Sequence, residues 1–320
     1  MAFLNKLFFY PTSLALRIKI AITRSLLRGP HHWHALDELK IPGHGLDLLR
    51  VDFPPAADAA PVWGHGHPVH RELAALIDAD QPSQLALLQA CVATADACLK
   101  WPEHENPAEP SLPWRENTFL TCFDQVALHG LLLHFRPERY LEIGSGMSTR
   151  VSWQARRLGA FPMEIVSIDP EPRLAVAALC DHVHQRRLEH MTEQFLALVT
   201  PKTVVFFDGS HRALPGSDVT VFFLNILPRL PAGTIVHIHD IYLPSDYPAA
   251  LFNRFWSEQY LLGAYLLGGG RRIKIILPCA HLANSPAAQT LLGPALRGQD
   301  SRASSFWLQI TDSSTPPFAP

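Results

Sequence analysis

An α/β fold built on a doubly wound, mostly parallel sheet is what this sequence predicts, and three observations lead there. From Glu116 onward short β-rich runs alternate with segments of helix length. The run at Tyr140 passes directly into a glycine pair and a helix start, Gly144-Ser145-Gly146-Met147-Ser148-Thr149. Later runs close on ionisable residues: Asp169, Asp208, and His239 with Asp240.

Taken in order, the first segment, Phe3 to Leu27, is apolar but carries Lys6, Arg17, Lys19 and Arg24. Its longest uncharged run, Leu7 to Leu16, contains Pro11 and is too short to span a bilayer. It is expected to be a helix packed on the domain, with peripheral membrane contact through a basic amphipathic face as the other reading. Residues 29 to 70 are rich in Pro, Gly and His, including His31-His32-Trp33-His34 and His65-Gly66-His67, and read as irregular loop. Helical spacing follows over Leu73 to Leu99, and then the proline-broken stretch Trp101 to Pro113. The chain thus divides into an N-terminal helical and irregular segment, 1–113, and a main domain, 114–320.

Within the main domain the pattern predicts a helix over Thr121 to His134, a strand at Tyr140 and a helix over Val151 to Leu158. Strands are expected at Glu164 to Ile168, weakly at Val183 to Leu188, then at Thr203 to Phe207, Thr234 to His239, Ile273 to Leu277 and Ser305 to Ile310. Pro215 to Asp218 reads as a turn and helix cap before a crossover helix, Val219 to Leu227. Phe252 to Leu267 reads as helix, with its aromatic residues Trp256 and Tyr260 as core.

Composition narrows the function. The 48% hydrophobic content suits a packed domain, and a formal charge of −2 argues against a nucleic-acid partner held by general electrostatics. Five scattered cysteines, with no Cys-x-x-Cys pair, predict neither a disulfide framework nor a zinc knuckle and fit a reduced, cytoplasmic setting.

The glycine turn is expected to bind a ligand, because it brings backbone N–H groups close and the following helix offers its positive end. Asp169, at the end of the next strand, can accept both hydrogen bonds of a ribose diol. A dinucleotide site would want a third glycine where Thr149 stands, and Glu142 before the turn would repel a pyrophosphate. A cationic sulfonium would not be repelled.

With both acids in register, the segment resembles motif I of class I S-adenosylmethionine-dependent methyltransferases, Glu142, Gly144 and Gly146 matching the motif and Asp169 the ribose-binding acid. The second half, Phe207-Asp208-Gly209-Ser210-His211 with His237-Ile238-His239-Asp240, resembles a bacterial group of that class and, more distantly, metal-assisted macrolide sugar O-methyltransferases. The resemblance covers roughly residues 116–310. It implies a Rossmann-like, seven-stranded sheet with a C-terminal antiparallel hairpin. It also implies a cofactor site of Glu142, Gly144, Ser145, Gly146, Thr149, Asp169 and Asp208, with S-adenosylmethionine as cofactor.

In the sugar enzymes an acid after the fourth strand and an acidic pair after the fifth hold magnesium, and a histidine three residues past the first acid is the base. Here Asp208 matches the acid, His211 the base and Asp240 one of the pair, whereas His239 replaces the other carboxylate. Asp208, His239 and Asp240 are therefore the candidate ligands of a divalent metal, magnesium or a softer ion, since imidazole departs from magnesium's preference for oxygen. His237, inside its strand, reads as a hydrogen-bonded structural histidine, and for His239 structural and site roles both stand. The expected reaction is O-methylation of a small molecule or sugar hydroxyl, His211 removing the proton. Two other readings use the same residues: a metal-dependent oxygenase or hydrolase centre, and a non-catalytic binding protein.

Overall fold

The computed structural model describes residues 59–270 and 272–312. The helix expected over Phe3 to Leu27, with its membrane-surface reading, and the His31 to His34 cluster fall outside the described residues. Seven strands form one sheet: β1 (Arg139–Ile143), β2 (Glu164–Ile168), β3 (His182–His184), β4 (Thr203–Phe207), β5 (Ile235–Ile238), β6 (Ile273–Pro278) and β7 (Phe306–Ile310). Their order is β3-β2-β1-β4-β5-β7-β6. The first five run parallel, and β7 lies antiparallel between β5 and β6. This is the Rossmann-like sheet with a terminal antiparallel pair that the resemblance implies.

The strands carry near-continuous apolar runs because helices cover both faces, as in Thr203–Phe207, every residue of which is buried. Alternate residues feed two cores. Tyr140, Val204, Phe206, Ile235 and Trp307 pack with the helices Gln81–Val92, Cys122–Phe135, Met147–Gly159 and Pro286–Leu296. Leu141, Val205, Phe207, Val236 and Leu308 pack on the other side with Thr192–Leu198, Glu258–Leu267 and the Phe222–Ile226 turn. One row across the first face is made of Ser167, Glu142, Phe206, His237 and Trp307, paired in register from β2 to β7. All five are buried, so polar groups are set deep inside this face.

Helix boundaries follow local chemistry. Thr121 caps the helix Cys122–Phe135 by accepting from the Asp124 amide, and Arg136 ends it in the left-handed conformation. Asp124, fully buried, accepts from the amides of Ser304 and Ser305 and so ties this helix to the entry of β7. The single helical stretch expected over Leu73 to Leu99 is three helices, Arg71–Ile77, Gln81–Val92 and Ala95–Leu99, with Pro82 in the first turn of the second. The crossover after Ser217 begins as an α-turn, Asp218–Val221, and widens over Phe222–Ile226. The stretch expected as one helix from Phe252 breaks at Phe255, which is left-handed (φ 54°), so the α-helix spans only Glu258–Leu267. Among the described residues no helix is long and apolar enough to cross a membrane. All five cysteines are free thiols.

The strand order reverses between β1 and β4, the place where ligands bind in open parallel sheets. At that place the chain leaves β1 through Gly144, whose φ is +81° and whose absent Cβ would stand 2.2 Å from the Asp208 carbonyl oxygen. Neither the conformation nor the space admits a side chain. Gly144→Ala is therefore expected to cost about 3 kcal/mol or more of folding stability, read as a lower urea midpoint; an unchanged midpoint would show that the two strand ends do not touch.

Candidate active site

The turn after β1 is built from beneath. Glu142, fully buried, accepts from the Thr149 hydroxyl at 2.5 Å and from the Ser148 hydroxyl at 3.0 Å, and Thr149 in turn accepts from the Gly146 amide at 3.0 Å. These bonds fix the first turn of the helix Met147–Gly159 over the end of β1. Burial lifts the Glu142 carboxyl to about 8, the two hydroxyls pulling the other way. Glu142, expected to act on the ligand's charge, has both its oxygens engaged under the turn.

Asp169 lies beside the turn, as expected. One carboxylate oxygen accepts from both the amide and the hydroxyl of Ser145, at 2.9 and 2.5 Å, and the other accepts from the Glu171 amide at 2.8 Å. No described residue comes within 4 Å of where a Cβ of Gly146 would stand, so that face of the turn is open among the described residues. A pocket lies over it, lined by Phe119, Ser145, Gly146, Ser148, Arg173 and Asp208 among others. The Arg173 guanidinium sits 5.4 Å from the centre of the Phe119 ring.

The ends of β4 and β5 deliver the second cluster. Asp218 shapes the loop after β4 by accepting from the amide and hydroxyl of Ser210, and His211 follows with φ +62°. His211 Nε2 lies 3.4 Å from Asp208 Oδ1 and 3.7 Å from Asp240 Oδ2, while its Nδ1 is 2.5 Å from Glu258 Oε1. Burial by itself would lower the His211 pKa, but the Glu258 charge and hydrogen bond, with Asp208 and Asp240, raise it to about 10. Desolvation pushes the Asp208 carboxyl above its ordinary value, against the pull of His239 and His211. Asp240, also left-handed (φ 54°), accepts from the Ser304 hydroxyl at 3.0 Å through its other oxygen.

Among the described residues the buried or half-buried trio able to share a metal ion is Asp208, His211 and Asp240, with ligand atoms within 4.8 Å of one another. His239 stands outside that trio. Its Nε2 donates to the Phe119 carbonyl at 2.9 Å, which fastens a wall of the pocket to β5. His237 is the structural histidine expected: its ring stacks on Phe206 at 3.8 Å and its Nε2 meets the Ser305 hydroxyl at 2.9 Å. Glu258 is invisible to sequence reasoning, because a lone acid at the start of a helix carries no motif and lies 47 residues beyond His211. Trp256, expected in the core, instead covers the imidazole, its ring centre 4.3 Å from that of His211.

Residues 141–241 match the family model of a methyltransferase domain. No curated protein sequence matches the chain. Among solved structures, the Podospora anserina methyltransferase PaMTH1, bound to SAH, aligns over 70% of this chain and 88% of its own at 15% identity and a TM-score of 0.38. MycE methyltransferase from the mycinamycin biosynthetic pathway, in complex with Mg, SAH and mycinamycin VI, aligns over 64% of this chain at 18% identity and a TM-score of 0.38, and this chain spans 53% of its length. The branched-chain polyamine synthase from Thermus thermophilus aligns over 70% of this chain and 64% of its own at 12% identity and a TM-score of 0.36.

The carboxyl under the turn makes stability depend on pH in a defined direction. Because the folded-state pKa of Glu142, about 8, exceeds its ordinary 4.5, the folded protein holds this proton more tightly; the stability so gained is full below 4.5 and is lost as pH rises towards 8. Denaturation between about pH 5 and pH 9 should show a fall, at most about 1.4 kcal/mol per pH unit, that Glu142→Gln flattens. Parallel curves for the two proteins would remove the assignment.

Proposed function

We propose that this S-adenosylmethionine-dependent methyltransferase acts on a hydroxyl of a small-molecule or sugar acceptor, with His211 as the general base. One observation carries the reading: Asp208, His211 and Asp240 converge at the strand ends next to the pocket over the glycine turn, and Asp208 belongs to both. In this reading the main domain, 114–320, holds the chemistry. The helices Gln81–Val92 and Ala95–Leu99 of the preceding segment support it by packing Leu88, Cys91 and Cys98 with Phe123 and Val126.

Each residue has a definable task. S-adenosylmethionine supplies an electrophilic methyl group and leaves as S-adenosylhomocysteine. Asp169 keeps a lone pair free on the oxygen that accepts from the Glu171 amide, to accept from one ribose hydroxyl. Ser145 holds the other oxygen through its amide and its hydroxyl, the second of which would have to turn away to admit the other ribose hydroxyl. Gly144 and Gly146 let the main chain approach, while Glu142 and Thr149 hold the turn in shape. The carboxylate that faces the pocket is Asp208, which favours a sulfonium there and disfavours a phosphate. Trp256, over the imidazole ring, gives the acceptor an apolar face. His211 Nε2 takes the hydroxyl proton as the oxygen attacks.

That last task requires a neutral ring, yet three carboxylates hold its pKa near 10. The carboxylates suit a divalent cation: Asp208 and Asp240 offer hard oxygen donors on one side of the ring, and such an ion would be held by them while His211 Nε2 keeps its lone pair for the proton. Such an ion would supply positive charge that offsets the carboxylates and acidifies the hydroxyl.

Asp169→Ala should weaken S-adenosylhomocysteine binding about 10- to 100-fold by calorimetry, and unchanged affinity would end the ribose assignment. In an assay of labelled methyl transfer to a panel of phenols, catechols and glycosides, His211→Ala should lower turnover about 10²- to 10⁴-fold while sparing that affinity. Without added metal the wild-type rate should rise with pH up to about 10, as the imidazolium loses its proton. A rate insensitive to pH, or full activity of His211→Ala, would dismiss His211 as the base.

A further inference from the structure

We propose that Glu258 is the positioning residue for His211: bonded to Nδ1, its carboxylate holds the imidazole so that Nε2 alone is presented between Asp208 and Asp240. This deepens the reading of His211 as base and rests on it. The two ring nitrogens divide cleanly, Nδ1 at 2.5 Å from Glu258 Oε1 and Nε2 at 3.4 and 3.7 Å from the two aspartates. An imidazole can turn over about its Cβ–Cγ bond and exchange those nitrogens, and His211, in a left-handed loop residue, has no helix or strand of its own to prevent it. A carboxylate that only accepts prevents it. The proton of the neutral ring must then sit on Nδ1, which leaves the lone pair on Nε2.

The surroundings show that the contact is built rather than incidental. Glu258 occupies the first turn of the helix Glu258–Leu267, where a negative side chain is favoured, and its side chain is fully buried. The loop that carries His211 is stitched to the residues just before that helix. The Ser257 amide donates to the His211 carbonyl at 2.8 Å, the Ala213 amide to the Ser257 hydroxyl at 2.8 Å, and Arg212 Nε to the Arg254 carbonyl at 2.9 Å. Yet among the described residues Glu258 Oε2 has no hydrogen-bond partner. A buried acid kept only for stability would satisfy both oxygens or be replaced by an apolar side chain, since a half-satisfied buried carboxylate is costly. What this acid gains from its single bond is the orientation of His211.

The test uses the full chain labelled with 15N-histidine, the His211 signals being those lost in His211→Ala. Wild type should show a downfield, slowly exchanging His211 Nδ1 proton; Glu258→Gln, whose amide oxygen still accepts but without charge, should move it upfield and Glu258→Leu should lose it, while affinity for S-adenosylhomocysteine stays within about twofold in both. Leucine keeps the volume without the bond, so at least one folded variant reports. An unchanged Nδ1 signal in either folded variant overturns the proposal. Failure of the base reading is distinguishable, because His211→Ala would then retain methyl transfer although the Nδ1 signal still depends on Glu258. Where both hold, Glu258→Gln loses about 10²- to 10⁴-fold in kcat with KM for S-adenosylmethionine unchanged, and the double variant with His211→Ala is no slower than His211→Ala alone. Additive losses in that double variant would mean that Glu258 acts apart from His211 and would likewise overturn the proposal.

Discussion

The contact on which this molecule depends is the approach of the Gly144 main chain to the carbonyl of Asp208, so close that even a methyl group is shut out. It joins the end of β1 to the end of β4 where the order of the sheet reverses, and two adjacent strands there send their connections to opposite faces. The glycine turn and Asp208 consequently share one pocket, although 64 residues separate Gly144 from Asp208. β5 extends the same edge by pairing with β4, which brings His239 and Asp240 alongside. The pocket over the glycine turn and the cluster of Asp208, His211 and Asp240 are adjacent because three strand ends are.

Two buried glutamates serve this arrangement in different ways. Glu142 gives both oxygens to the hydroxyls of Ser148 and Thr149, so its carboxyl group organises a helix start and its burial is offset by two hydrogen bonds. Glu258 gives one oxygen to His211, and its other oxygen has no partner among the described residues. The first is a structural acid under the glycine turn; the second holds one nitrogen of the His211 ring. A similar division separates the histidines. His237 and His239 are tied to Ser305 and to the Phe119 carbonyl, whereas the His211 ring nitrogens face the carboxylates of Asp208, Asp240 and Glu258 beneath the Trp256 ring.

Local chemistry makes much of this legible in the linear chain. The strand ending at Ile143, the glycine pair, the acid at Asp169 and the polar strand ends at Asp208 and Asp240 lie in short contiguous segments, and hydrophobic period and turn residues mark such segments directly. The order of the β-rich runs and their helix-length spacing likewise determine a doubly wound sheet, because parallel neighbours need crossovers of that length. What the sequence leaves open depends on atoms that meet across long loops. Whether Glu142 faces the ligand or the helix, whether His211 or His239 joins the two aspartates, and what holds the His211 ring are decided only when residues 142, 208, 240 and 258 come together. Side-chain direction and hydrogen-bond partners are properties of packed surfaces, and a linear pattern records which residues are apolar without recording what each will touch.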